Sequence, residues 1–245
     1  MSGSFCRKNP LMPHTEYLFL ALSLFLLLSY HFILRWMIRH KPMHTEIGVN
    51  SCVRRAWVKH MMQRPTGDVL AVQTLRNTLM SASFFASSAI LLVAGLLSFT
   101  VTEKNLESFN HVLNLFGYHE FHMVLTRLLV LISLFFFAFF NFLLTMRYYN
   151  NLGFMLNALG QVDRRVLSEQ LVSNAMQRGA LHFTLGIRTL MLVLPFGLWL
   201  LGAVWLLVGT VILLIMLYHI DYPHYLRHTH TECHAQSLST VETKA

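Results

Sequence analysis

Charge is scarce in this chain. Only 12% of its 245 residues are Asp, Glu, Lys or Arg, against about 25% for a soluble domain. That deficit excludes a water-exposed surface of ordinary composition and makes lipid the expected solvent. Acidic residues are rarest: 11 against 19 basic ones, with none deep in an apolar run, which argues against a carboxylate proton relay and aspartate-based intramembrane proteolysis. The sequence has no HExxH, GxSxG or P-loop, so no enzyme and no cofactor is expected. Cysteines number three, Cys6, Cys52 and Cys233, without a CxxC, and give neither a disulfide framework nor a thiolate metal site. The net charge of +8 comes without a zinc-finger or RNA-binding motif, so nucleic acid is not an expected partner.

What is present is apolar sequence in long runs. Four of them, at 17–38, 78–101, 121–146 and 189–217, reach the roughly 20 residues that a helix needs to cross a bilayer. A backbone in lipid must satisfy itself, so these runs are helices. They lack the alternation of barrel strands. The first run has no small-x-small cleavage site after it and continues into Arg35, Arg39 and Lys41, which predicts a retained span and not a leader. Thirteen of the 19 Lys and Arg fall in or beside the first and third connections, whereas Glu103, Glu107 and Glu120 lie in or beside the second. The positive-inside rule then places connections one and three in the cytoplasm and both termini outside.

Local patterns refine the connections. Val49, Val53, Trp57 and Met61 recur every four residues, with Arg54, Arg55 and Lys59 on other faces. This predicts a basic amphipathic helix lying on the anionic inner leaflet, with those three cations as candidate lipid ligands. Residues 65–68 (PTGD) read as a turn. Ser168-Glu169-Gln170-Leu171 reads as a helix start, and Gly179 and Gly186 as weak points in the helix that follows.

One segment is distinctive: LAVQTLRNTLM over 70–80, leading into SASFFASSA over 81–89. With HTEIGVN at 44–50, RRAWV at 54–58, RYYNN at 147–151, Arg178-Gly179 and YHID at 218–221, it resembles the integral membrane family known as domain of unknown function 599. The resemblance runs from about Thr15 to Asp221. It implies a four-span membrane protein found in bacteria and plants, and it implies no activity.

The residues of that segment have their own chemistry. Ala82/Ala86 and Ser83/Ser87 have small-xxx-small spacing, which suits helix packing within one subunit, a subunit interface or a pore lining. Gln73, Arg76, Asn77, Thr78, Ser81, Ser83, Ser87 and Ser88 are the pore or interface candidates. The first four sit at the inner mouth, where a helix N-terminus favours anions. Asn141 in the third span suggests an interhelical hydrogen bond. Arg127 needs a partner or a route to the surface, and Glu120 is a candidate. Pro195, Gly197, Gly202 and Gly209 interrupt the fourth run, predicting a kink or hinge. Five of the 14 histidines lie in the last 27 residues. His228, His230 and His234 are candidate ligands for a divalent metal, and a disordered tail is the alternative.

The expected fold is all-α: a polytopic membrane bundle of four transmembrane helices with cytoplasmic helical extensions. It has an outer segment over 1–16, a membrane domain over 17–221 with cytoplasmic connections at 39–77 and 147–188, and an outer His-rich tail over 222–245. The expected setting is the bacterial inner (plasma) membrane. The preferred functional reading is a homo-oligomeric channel or passive transport protein with a basic inner mouth. The alternative is a module that binds anionic membrane lipids or partner proteins through its basic cytoplasmic helices.

Overall fold

The structure, a computed structural model, describes residues 12–63, 69–101, 121–158 and 167–222. Among these it contains six α-helices and no strand: α1 (Met12–His40), α2 (Glu46–Met62), α3 (Val69–Val101), α4 (Phe121–Asn157), α5 (Glu169–Leu198) and α6 (Ala203–Asp221). All but α2 are long and apolar enough to cross a membrane. The all-α bundle and its helical extensions are as the sequence predicts.

The expected fourth span is two helices. α5 continues through Pro195 to Leu198, a 3₁₀ turn follows over Trp199–Leu201, and the chain reverses at Gly202. Gly202 has φ +141°, a conformation that a Cβ disfavours. The reversal is fixed by contact as well. A Cβ added at Gly209 would lie 3.0 Å from the Pro195 Cα, and Asp221 pairs with Arg188. α5 and α6 are therefore an antiparallel hairpin. The 19 residues of α6 extend about 28 Å, enough to cross hydrocarbon unaided.

This changes the relation between the first and last described helices. Glu16, near the start of α1, meets Arg127 beside the Leu200 carbonyl at the turn end of the bundle. Tyr222, after α6, hydrogen-bonds Met37 at the opposite, head end. The ends of the described membrane helices thus lie at opposite ends of the bundle. The expectation that both termini face outside assumed an even number of crossings, and five helices remove that assumption.

Neighbouring helices follow one another in the order α3, α4, α5, α6, α1. The α3–α4 seam is built from small residues: Ala82, Ala86, Ala89 and Val93 are buried against Ala138, Phe142, Ile132 and Phe135. Gly179 and Gly186, read from sequence as weak points, are where α5 comes closest to Tyr149 and Phe142 of α4. At the head end α2 joins the bundle. Val58 and Met61 pack with Ala71, Leu75, Tyr149, Leu152, Leu156 and Val172.

Candidate functional site

Two helix starts shape the head. Thr45 caps α2, its hydroxyl accepting from the Gly48 N–H at 3.3 Å, and Ser168 caps α5 through the Leu171 N–H at 3.3 Å. The Ser168 start agrees with the sequence reading. α2 then runs antiparallel to α5: Ser51 and Arg54 meet Gln177, while Val58 and Met61 share a cluster with Val172 and Leu167. The predicted Val49/Val53/Trp57/Met61 stripe is kept in part: Met61 and Trp57 pack into the cluster, while Val53 is 59% exposed and Val58, outside the stripe, is fully buried.

The three candidate lipid-binding cations of α2 are separated by this arrangement. Arg54 turns inward. Its Nε and one Nη donate to Gln177 Oε1 at 3.4 and 3.3 Å, and Gln177 Nε2 donates to the Ser51 carbonyl at 2.8 Å. Burial holds the Arg54 guanidinium below its ordinary pKa, and the Tyr149 hydroxyl opposes that shift. Arg55 and Lys59 are exposed. Arg55 borders an open groove of about 420 Å³ with Glu169, Gln170, Ser173 and Asn174.

On α3 the candidates divide by face. The Ala82/Ala86 stripe is consumed by packing on α4. Gln73, Arg76, Asn77, Ser81 and Ser87 are exposed, and Thr78, Ser83 and Ser88 half-buried. Thr78, Ser81 and Ser88 donate to carbonyls one turn back, at 3.3, 3.1 and 2.9 Å. Their hydroxyls are satisfied within the helix and do not require water.

Three polar constellations tie the membrane helices together. Asn141 Nδ2 donates to the Phe137 carbonyl, so its Oδ1 accepts from His182 Nδ1 at 3.0 Å, and the imidazole stacks on Tyr148 at 5.6 Å. This is the interhelical bond expected of Asn141. Second, Asp221, 1% exposed, pairs with Arg188 and accepts a 2.5 Å hydrogen bond from the Tyr30 hydroxyl. Third, Arg127, also 1% exposed, pairs with Glu16 Oε2 at 3.1 Å, donates to the Leu200 carbonyl at 3.4 Å and lies 5.4 Å from the Trp199 ring centroid. Its Nε has no hydrogen-bond partner. The partner proposed from sequence, Glu120, lies outside the described residues.

Sequence reasoning flagged Arg127 but chose a neighbour in sequence, and it counted Arg188 with a connection. The available signal was the cost of an unpaired charge in an apolar run, which demands a partner without naming it. His228, His230 and His234 lie outside the described residues, as do residues 65–68. Among the described residues no three His, Cys, Asp or Glu side chains come together as a metal site.

The family described as "Protein of unknown function, DUF599" matches residues 18–225. The chain belongs to this family. The match takes in all five long apolar helices, with the head between them, so the hairpin and both ion pairs lie within the family's extent, Glu16 alone excepted. No curated protein and no solved structure matches the chain.

Proposed function

We propose that this family member is a plasma-membrane module, in bacteria an inner-membrane one, that gathers anionic lipid head groups around its head end, on the cytoplasmic side. One observation carries the reading. Arg35 and Arg39 on α1, Arg76 on α3, Arg147 on α4 and Arg178 on α5 are all exposed where these helices leave the apolar bundle. None takes part in the two ion pairs of the described residues. Four helices thus present unpaired guanidinium groups toward the head-group layer, each worth about 1 kcal/mol against an anionic leaflet. Arg55 and Lys59, farther out on α2, contribute less as the surface potential decays. The reading involves no catalytic step.

The test is thermal unfolding in detergent micelles doped with phosphatidylglycerol or phosphatidylcholine. Phosphatidylglycerol should stabilise the parent protein selectively, the effect should shrink in 0.5 M salt, about three times physiological ionic strength, and Arg76→Gln with Arg147→Gln should reduce it. Equal stabilisation by both lipids would refute the reading.

A homo-oligomeric channel is the second reading. It is supported by the face of α3 turned away from α4, which carries Gln73, Arg76, Ser83 and Ser87. The self-satisfied hydroxyls of Thr78, Ser81 and Ser88 weaken the need for water there. Liposome conductance that falls on Arg76→Ala would favour it over the first.

A further inference from the structure

We propose that α1 is an arm hinged at Glu16–Arg127 and latched at Tyr30–Asp221, able to swing its head-end half away from the α5–α6 hairpin. The inference does not depend on head-group binding.

Of the five long apolar helices, α1 has the fewest buried positions among the described residues. Its buried positions are Ser23, Leu27 and Leu34, a narrow seam, while Phe25, Leu28, Phe32 and Ile33 face outward. Leu27, with Tyr30 beside it, packs on Leu213 and Leu217 of α6 with Met191, Leu192 and Phe196 of α5. In water such a leucine seam would be a strong attachment. In a bilayer it is not, because lipid tails are as apolar as leucine and separation exposes nothing to water. Polar contacts therefore carry a disproportionate share of the docking, and α1 has one strong polar tie toward each end.

The two ties differ in what their rupture leaves behind. Removing Glu16 from Arg127 strands a guanidinium that is 1% exposed and already has an unpartnered Nε. A buried charge without its counter-ion is strongly unfavourable. Removing Tyr30 from Asp221 strands nothing charged, because Arg188 keeps the carboxylate paired within the hairpin. Only one charge-assisted hydrogen bond is lost, along with the weak Tyr222–Met37 contact at 3.3 Å. The turn end is thus a fixed pivot and the head end a catch. Beyond the catch, α1 passes through the short 3₁₀ turn Pro42–His44 into α2, which Gln177 holds to α5. Motion of the arm would pull on the start of the head.

Distances between nitroxide pairs in nanodiscs test this, with Cys6, Cys52 and Cys233 replaced by serine. One pair joins Trp36→Cys on α1 to Phe140→Cys on α4, near the head end. A second joins Leu18→Cys to Leu129→Cys near the turn. All four positions are exposed. In Tyr30→Phe the head-end pair should gain a longer-distance population, the open-to-docked ratio rising about tenfold or more for loss of a hydrogen bond to a charged group. The turn-end pair should keep its distance, which also reports that the variant is folded. A head-end distribution identical to that of the parent would overturn the latch. Simultaneous broadening of both pairs would overturn the hinge.

Discussion

At Gly209, one missing methyl group decides how closely two helices approach. A Cβ there would stand 3.0 Å from the Pro195 Cα and 2.9 Å from a Leu198 methyl. Backbone cannot step aside as a side-chain tip can, so Gly209→Ala should force α5 and α6 apart and destabilise by about 1–3 kcal/mol. Gly95→Ala, with nothing within 4 Å of its added Cβ, is the control and should be neutral or slightly stabilising. Thermal unfolding of both variants in one detergent checks the contrast. In the sequence Gly202 and Gly209 stand together as interruptions of one apolar run, seven residues apart. Gly209 does pack, but Gly202 serves a different purpose: its φ lets the chain reverse. Spacing alone does not separate a glycine needed for closeness from one needed for its backbone. Arg127 was half-legible, and Arg188, counted with a connection, was not. A charge in an apolar run announces a missing partner, and both partners came from helices more than 30 residues away.

Among the elements, α2 was the least legible. Its four-residue repeat of apolar positions resembled a helix lying on a leaflet, and Thr45 and Glu46 at its start fit a helix of any orientation. Its stance is decided by Gln177, a residue of another helix with no periodic signal. Both polar atoms of its side-chain amide are used, the oxygen accepting from Arg54 and the nitrogen donating to the Ser51 carbonyl. Gln177→Leu should leave Arg54 half-buried without its acceptor and loosen α2 from α5. Amide hydrogen exchange should accelerate in α2, with α4 unchanged, at a cost of roughly 1–3 kcal/mol. Exchange that stays slow along α2 would mean that Val58 and Met61 suffice to hold it. By contrast α5 was readable from Ser168 onward, because an N-cap is a local device whose donor lies three residues away.

For the whole molecule, apolar run length disclosed the class and the count came close, since a hairpin turn of four residues is hidden inside continuous greasy sequence. The consequence is topological. Cys52, exposed on α2, and a cysteine at the exposed Tyr218 should react with an impermeant maleimide from the same side of oriented vesicles, and Leu18→Cys should not. Labelling of Tyr218→Cys together with Leu18→Cys would restore an even number of crossings. The hairpin also sets a schedule for biosynthesis. Arg188 alone in a segment being offered to the membrane carries a penalty of about 2.5–3.5 kcal/mol on the insertion scale. The carboxylate that cancels it is 33 residues downstream, which a ribosome adding roughly 5–20 residues per second reaches only seconds later. Until then α5 is a finished helix whose arginine has no counter-ion, and once Asp221 has emerged both arms can enter the bilayer together as an electrically neutral unit.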